Sequence, residues 1–443
     1  MSGNRVTDLT SGAIFPQLLR FSVPLILGNL LQLSYNMVDT IVIGRFAGSA
    51  ALAAVGTCDQ IMNLLILGVS GLCLGASVLM GNFFGAGDYD RLTDELKTTV
   101  SMGVIFSLAV LLAGFPLTDS ILRLMQTQAE AFADAATYLR IVFLGVPFTC
   151  LYNIYAAALR AVGDARTPVR FLMISCMLNI CLDLLLVAGF RLGVRGAGLA
   201  TLAAQAVSAA LCMRSVNTHV PVLRFSWRSL RISRELAGKT LSYGGLTALQ
   251  QCAQPIGNLI IQGSVNALGV SAAAAFSACR KIEDIGLLPG RSISAAMTAM
   301  IAQNEGAGNH SRTEQGFRSG MMLEICAGVM VSLAVLLLRR PLMSVFSDDA
   351  QIVEEGLRYF SIIPFFYWLP CLSNGMQGYF RGTGHMKTSL AASLTQISVR
   401  VAVTLLTVSS MGIPGVGLAC VAGWSALLAW TVPFRICLRR ERN

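Results

Sequence analysis

Charge is scarce in this chain of 443 residues: Asp, Glu, Lys and Arg together make up 13% of it, against 54% hydrophobic residues. A soluble protein of that size needs more charge to stay in solution, so the composition places the chain in a membrane. Histidine is nearly missing. The three present, His219, His310 and His385, fall in predicted loops and form no metal site by spacing. There is no H-E-x-x-H, no G-x-x-x-x-G-K and no nucleophile triad signature, so hydrolytic, metalloenzyme and nucleotide-dependent chemistry have no residues to act through. The reading is a protein that is not an enzyme, with no cofactor. The 12 cysteines make no C-x-x-C pair, which excludes a zinc site of that type; they read as small packing residues.

What is present is apolar length. Stretches able to cross a bilayer, at roughly 20 residues each, recur at about 14–38, 50–80, 99–117, 137–159, 168–190, 195–215, 238–262, 270–302, 318–338, 357–380, 388–410 and 414–437. These runs are too long for strands and lack period-two alternation, so the predicted fold is all-α with twelve transmembrane helices. The first stretch lacks a small-residue cleavage site and is read as retained. The formal net charge of +10 raises nucleic acid as a partner. Sorting the Lys and Arg by predicted loop answers otherwise: Arg5, Arg91, Lys97, Arg214, Arg228, Arg231, Lys239, Arg312, Arg381 and Arg439 all fall on the side of the N-terminus, and they have company there. That is the positive-inside pattern, which predicts a multi-pass plasma-membrane protein with both termini cytoplasmic.

A shift of 221 residues superimposes the halves: GAGDYDR at 85–91 falls on GAGNHSR at 306–312, Asn153 on Asn374, Arg160 on Arg381, and Thr167 on Thr388. GAGLA at 196–200 meets GVGLA at 415–419 after a two-residue slip. With six spans per copy, both copies start on one face, which predicts two six-helix lobes related by a pseudo-two-fold axis along the membrane normal. The expected division is a lobe at 1–213, a cytoplasmic linker at 214–239 with a short interfacial helix carrying Phe225 and Trp227, and a lobe at 240–443. The GAGD and GAGN loops lack the phosphate-loop pattern and read as tight turns.

Against this background Asp39, in SYNMVDTIVIG, stands out. An ionised carboxylate near the hydrocarbon costs about 2.5 to 3.5 kcal/mol and needs a partner, water, an ion or a proton. Either it faces water at the outer end of a tilted helix, or it belongs to a site. LNICLDLLLV at 178–187 places Asn179 and Asp183 four residues apart, one above the other on one helix face. These are either interhelical polar glue or, with Asp39 and Thr201, a set of hard oxygen ligands and a shareable proton suited to Na+ or H+. The second copy has Ile260, Arg400 and Thr404 where the first has Asp39, Asn179 and Asp183, so the charge site is not duplicated.

An aromatic and amide set, Tyr35, Met62, Asn63, Tyr152, Asn153, Gln250, Gln254, Phe276, Tyr367 and Asn374, is suited either to ordinary packing or to a midplane cavity for bulky amphipathic cations. Asp59 and the RKIED cluster at 280–284 are less specific, the latter bringing its own basic neighbours. Arg400, which cannot shed its proton, is expected either to pair with Glu283 or Asp284 or to snorkel into water along its own helix.

The segments YNMVDTIVIGRFAG (35–48), GNFFGAGDYDRL (81–92), ALRAVGDARTP (158–168), NICLD (179–183), GVRGAGLAT (193–201), AQNEGAG (302–308) and FRGTGHMKT (380–388) resemble the multidrug and toxic compound extrusion (MATE) family of secondary transporters. The resemblance implies twelve helices in two lobes and export of amphipathic, cationic small molecules in exchange for Na+ or H+ by alternating access, from a monomer. In the DinF-like branch it implies a cation site in the first lobe, matching Asp39, Asn179, Asp183, Thr201 and the backbone carbonyl of Ala197. The NorM-like branch also uses acids on the seventh and tenth helices, where this sequence offers Gln250, Gln251, Gln254 and Asn374. Lipid-linked oligosaccharide flippases of similar architecture are the rival reading; they call for a more basic cavity.

Overall fold

A computed structural model describes residues 7–442. Arg5, one of the cations in the charge sort, lies outside them. All regular structure among the described residues is helical: α1 (Ile14–Phe46), α2 (Ser49–Gly85), α3 (Tyr89–Leu124), α4 (Ala129–Ala161), α5 (Arg166–Asp183), α6 (Gly193–His219), α7 (Arg234–Asn266), α8 (Val270–Gly286), α9 (Leu288–Gly306), α10 (His310–Ser344), α11 (Ala350–Tyr359), α12 (Trp368–Gly382), α13 (Met386–Met411) and α14 (Ile413–Arg442). Among the described residues, 10 helical segments are long and apolar enough to cross a membrane, with Val270–Gly306 counting as one.

Two of the twelve expected spans are not among those ten. The seventh lies in α7, which is long enough but carries Gln250, Gln251, Gln254, Asn258 and Gln262. The tenth is not one helix. Pro364 sits at the start of a short 3-10 turn, Ile363–Phe366, and Pro370 opens α12, so the chain passes through α11, the turn and α12 in pieces. A proline cannot donate a backbone hydrogen bond and is tolerated in a first helical turn, which is where these two stand.

The chain divides into two compact units. One holds Val23–Ala248 with the residues just before Leu9; the other holds Leu9–Ser22 and the chain from Leu249 onward. In the first unit, two apolar cores carry the packing, one around Phe84, Leu96, Ile154 and Tyr155, the other around Ile43, Cys58, Tyr138 and Val142. Helices α2 and α7 cross at backbone distance there. A Cβ on Gly71 would fall 2.5 Å from Ala248 Cα, and one on Gly75 2.7 Å from Gly244 Cα. Small residues four apart on both helices are what allow this approach in a bilayer, where no hydrophobic force drives helices together. Within the predicted linker, α6 continues to His219 and α7 begins at Arg234, leaving a short connection between them. It runs through two 3-10 turns, Pro221–Leu223 and Trp227–Ser229. It lies against α3: Thr93 Oγ1 donates to Val222 O (3.1 Å) and the Ser233 N–H donates to Thr98 Oγ1 (3.2 Å). Phe225 and Trp227 pair at 6.4 Å between ring centroids.

In the second unit the core gathers Phe276, Tyr359, Phe360, Ile363 and Tyr367. Leu9–Gln17 is tied to α9 and α10 by its backbone. Gln303 Oε1 accepts from the Leu9 N–H (3.0 Å), Asn304 Nδ2 donates to Leu9 O (3.2 Å), and the Arg312 guanidinium donates to the carbonyls of Leu9, Ser11 and Gly12.

The repeat is visible in the backbone. Apart from Gly12, the described glycines with positive φ fall in pairs, three of them 221 residues apart: Gly48 and Gly269 (92° and 112°), Gly87 and Gly308 (72° and 68°), Gly163 and Gly384 (86° and 81°). Gly193 and Gly412 (55° and 65°) follow after the slip. In the GAGD and GAGN loops, Asp88 and Asn309 each cap the next helix by accepting from the N–H of Arg91 and Arg312, both at 3.1 Å. These loops are turns, as their composition predicts.

Candidate functional site

The acids of the first unit meet. Asp39 reaches Asp183 from α1, and the two carboxyl groups are in hydrogen-bonding contact. Carboxylates only accept, so a bond between them requires a shared proton. Asp183 is fully buried at the last residue of α5, where the helix passes into a π-helical turn, Leu184–Gly189. A π turn widens the helix and is frequent at functional positions. Here it is accommodated by Gly196 at the start of α6, where a Cβ would come within 3.0 Å of Leu186 C.

Asn179, 1% exposed, lies one turn before Asp183. In the amide orientation that satisfies both ends, its nitrogen donates to Asp183 Oδ2 (2.8 Å) and its oxygen accepts from the Thr201 N–H (3.2 Å). Thr201 on α6 is hydrogen-bonded through its side chain to the Tyr35 hydroxyl. Ala197, one turn earlier on α6, is buried in the same core as Val187 and Val194. Asp39 Oδ1 and Asp183 Oδ1 are buried and have no hydrogen-bond partner. The chemical capacity of the cluster is therefore two free hard oxygens, a proton-sharing carboxyl pair, and neutral oxygens from an amide and a hydroxyl. No group of three or more His, Cys, Asp or Glu able to hold a metal ion occurs among the described residues.

Four of the predicted site residues thus converge, with Tyr35 moved from the substrate set into their shell. Two neighbours were missed or underrated by the sequence reading. Asp59, from α2, lies close enough to act electrostatically on Asp39, and buried Tyr138, from α4, senses Asp39 and Asp59 alike. Only the folded arrangement of α1, α2 and α4 brings them there.

The predicted substrate residues do not behave as one set. Met62, Gln250, Phe276 and Tyr367 are packed inside their own units. Gln250 donates to Gln377 Oε1 (2.5 Å) and Ser393 Oγ (2.8 Å) and accepts from Ser389 Oγ (3.2 Å), a closed network joining α7, α12 and α13. Phe276 stacks edge-on against Tyr359 at 5.9 Å. Asn63 is exposed, and Gln254, Tyr152, Asn153 and Asn374 are half-buried. Tyr152 donates to Pro168 O (3.2 Å), while Asn153 Nδ2 donates to Thr149 O (2.8 Å) in its own helix.

The expected pairing of Arg400 requires correction. No ion pair joins it to Glu283 or Asp284 among the described residues. Arg400 Nη1 donates to Asn258 Oδ1 (3.1 Å). Glu283 Oε1 instead accepts from the hydroxyls of Tyr359 (3.0 Å) and Tyr367 (3.2 Å), and Asp284 pairs with Arg291 (2.8 Å), outside the RKIED cluster. Arg400 and Glu283 still interact electrostatically, while the two tyrosine hydroxyls supply the hydrogen bonds to Glu283 Oε1.

With this geometry in hand, the comparisons decide the family. The MatE family profile matches residues 24–185 and 247–406. The chain belongs to the MatE family. It is 29% identical over 412 residues to "Probable multidrug resistance protein YpnP" of Bacillus subtilis, covering 93% of this chain and 92% of that protein. It is 27% identical over 378 residues to "Probable multidrug resistance protein NorM" of Thermotoga maritima, covering 83% of this chain and 80% of that protein. Among solved structures, a multidrug resistance MATE family transporter of the MOP superfamily matches with a TM-score of 0.91 at 22% identity, over 98% of this chain and 97% of that one. The last comparison speaks to fold alone. MatE relatives are transporters, not enzymes, and the chain is a multi-pass membrane protein with 10 helical segments long and apolar enough to span among its described residues.

Proposed function

We propose that this MatE protein is a secondary antiporter that exports amphipathic, cationic small molecules in exchange for H+ or Na+. The observation that carries the reading is the Asp39–Asp183 carboxyl pair, half-buried on α1 and fully buried on α5, braced by Asn179 and Thr201 at the point where α5 changes winding. A proton bound there is shared by the pair; a Na+ is held by the two free carboxylate oxygens with Asn179, Thr201 and the Ala197 carbonyl. Binding the ion favours one conformation, its loss favours the other, and the drug moves because its affinity differs between them. The meeting of Asp39 and Asp183 within the first unit supports the DinF-like reading. The charge bias of the loops supports cytoplasmic termini in the plasma membrane, and the 221-residue repeat supports twelve spans in two lobes. The names of the relatives favour drug export over the flippase reading.

The test is efflux of a fluorescent organic cation from proteoliposomes, with Na+ and pH gradients imposed separately. Asp39→Asn and Asp183→Asn are expected to abolish gradient-driven efflux with insertion intact, since each removes a titratable charge and little volume. Near-normal efflux in either variant sinks the shared site.

A further inference from the structure

One acid in the second unit takes no part in the site above. Glu324, in α10, is fully buried, and among the described residues no N–H or O–H donor reaches either of its carboxyl oxygens; the Cys371 thiol is the group within hydrogen-bonding reach. The repeat places Gly103 at the same position in the first unit, so this acid too is unduplicated. Its surroundings are specific. A Cβ on Gly290 of α9 would fall 2.8 Å from Glu324 Oε2, 3.2 Å from Cys371 Sγ and 3.6 Å from Asn374 Nδ2, so carboxyl, thiol and amide converge over one glycine. The titratable groups that face Glu324 are Cys371 and Arg381, both on α12.

Arg381 is half-buried, with its Nε buried, and acts on Glu324 electrostatically without an ion pair between them. Its Nη2 donates to Ser294 Oγ (2.8 Å), and Ser294 Oγ in turn donates to Asn374 O (2.6 Å). Its Nε has no partner. A potential ion pair is thus present with both halves incompletely bonded, and a serine on α9 holds the guanidinium. Buried charges in that condition are costly, whereas the paired or the neutral arrangement is not.

We propose that Glu324 is a second proton-carrying site of the transport cycle, neutral while Arg381 is tied to Ser294 and ionised when Arg381 leaves Ser294 to pair with it. The step is a proton transfer alone: the carboxyl O–H bond breaks, the proton passes to water, and the permanently charged guanidinium takes over as the counter-charge. Nothing is oxidised or reduced. The proposal rests on the antiporter reading only in requiring a proton to move during transport.

The experiment is infrared difference spectroscopy of the full-length protein in lipid nanodiscs across pH, following the deuterium-sensitive C=O stretch of protonated carboxyl groups. A band present at neutral pH is expected to disappear in Glu324→Gln and to persist in Asp39→Asn/Asp183→Asn. Ser294→Ala, which keeps Glu324 and frees Arg381, is expected to lose the band at neutral pH as well. In proteoliposomes, Glu324→Gln is expected to slow efflux driven by a pH gradient about 10-fold or more, as for loss of a group that carries the transferred proton. A neutral-pH band unchanged by Glu324→Gln or by Ser294→Ala overturns the proposal, and so does unimpaired efflux in Glu324→Gln. If the Asp39 and Asp183 variants transport normally while the Glu324 results hold, the first-unit site falls and this one stands.

Discussion

Arg312 offers a test whose magnitude follows from counted bonds. Its Nε donates to Leu9 O (3.1 Å), Nη1 to Gly12 O (2.7 Å), and Nη2 to Ser11 O (2.7 Å) and Gln17 Oε1 (2.9 Å). No lysine reproduces that fork: an ammonium is a point charge on a flexible stem and cannot span acceptors spread over four residues of backbone. Arg312→Lys therefore keeps the charge and loses at least two of the four bonds. Bonds to a charged group contribute about 1.5 to 3 kcal/mol each, and the half-buried guanidinium belongs below that range because water competes, at about 1 kcal/mol per bond. The segment is then about 2 kcal/mol easier to open, an increase of about 30-fold in the opening equilibrium. Hydrogen exchange followed by mass spectrometry reads this directly, because the Leu9 N–H is protected only through Gln303. The expected result is about 30-fold faster exchange in a peptide covering residues 8–17, with α9 unchanged. Unaltered exchange refutes the clamp, and equal acceleration throughout α10 shows a global loss of stability in its place.

Two further predictions concern packing and buried acids. Gly75→Leu is expected to lower the thermal unfolding midpoint, because the added side chain meets the backbone of Gly244 and not a movable side chain; overpacking costs about 1 to 3 kcal/mol or more, and a midpoint equal to wild type contradicts the close crossing. Tyr359→Phe and Tyr367→Phe each withdraw a donor from Glu283 Oε1 and are each expected to cost about 1 to 3 kcal/mol. Because both donors serve one oxygen, the double variant is expected to depart from additivity in a denaturation cycle, and simple addition refutes their sharing of the acid.

What was legible in the sequence was local or periodic. Asn179 and Asp183 reveal themselves by a four-residue spacing, and the glycine turns by composition. The bilayer is read from hydropathy, although α7 and the pieces from Ala350 to Gly382 show where amides and prolines blunt that signal. The partners of Arg400 and the place of Tyr138 were not legible, because they depend on helices distant in sequence meeting at particular heights. Glu324 escaped notice for a similar reason: a single acid in an apolar run tells nothing about whether its oxygens are bonded. The place of Tyr367 stayed open between packing and cavity, because an aromatic in such a run serves either equally well until its hydroxyl is seen to end on Glu283.

The paired left-handed glycines carry a consequence for how such a chain can drift. At those turns selection acts on a torsion angle that only glycine adopts cheaply, whichever side chains surround it. The two halves have exchanged Asp39 for Ile260 and Gly103 for Glu324 while keeping glycine at 48 and 269, 87 and 308, 163 and 384. A saturation mutagenesis profile of this protein should therefore show narrow troughs of intolerance repeating every 221 residues. Charged and aromatic positions between them should follow no common period, since each half has been free to specialise inside a shared set of bends.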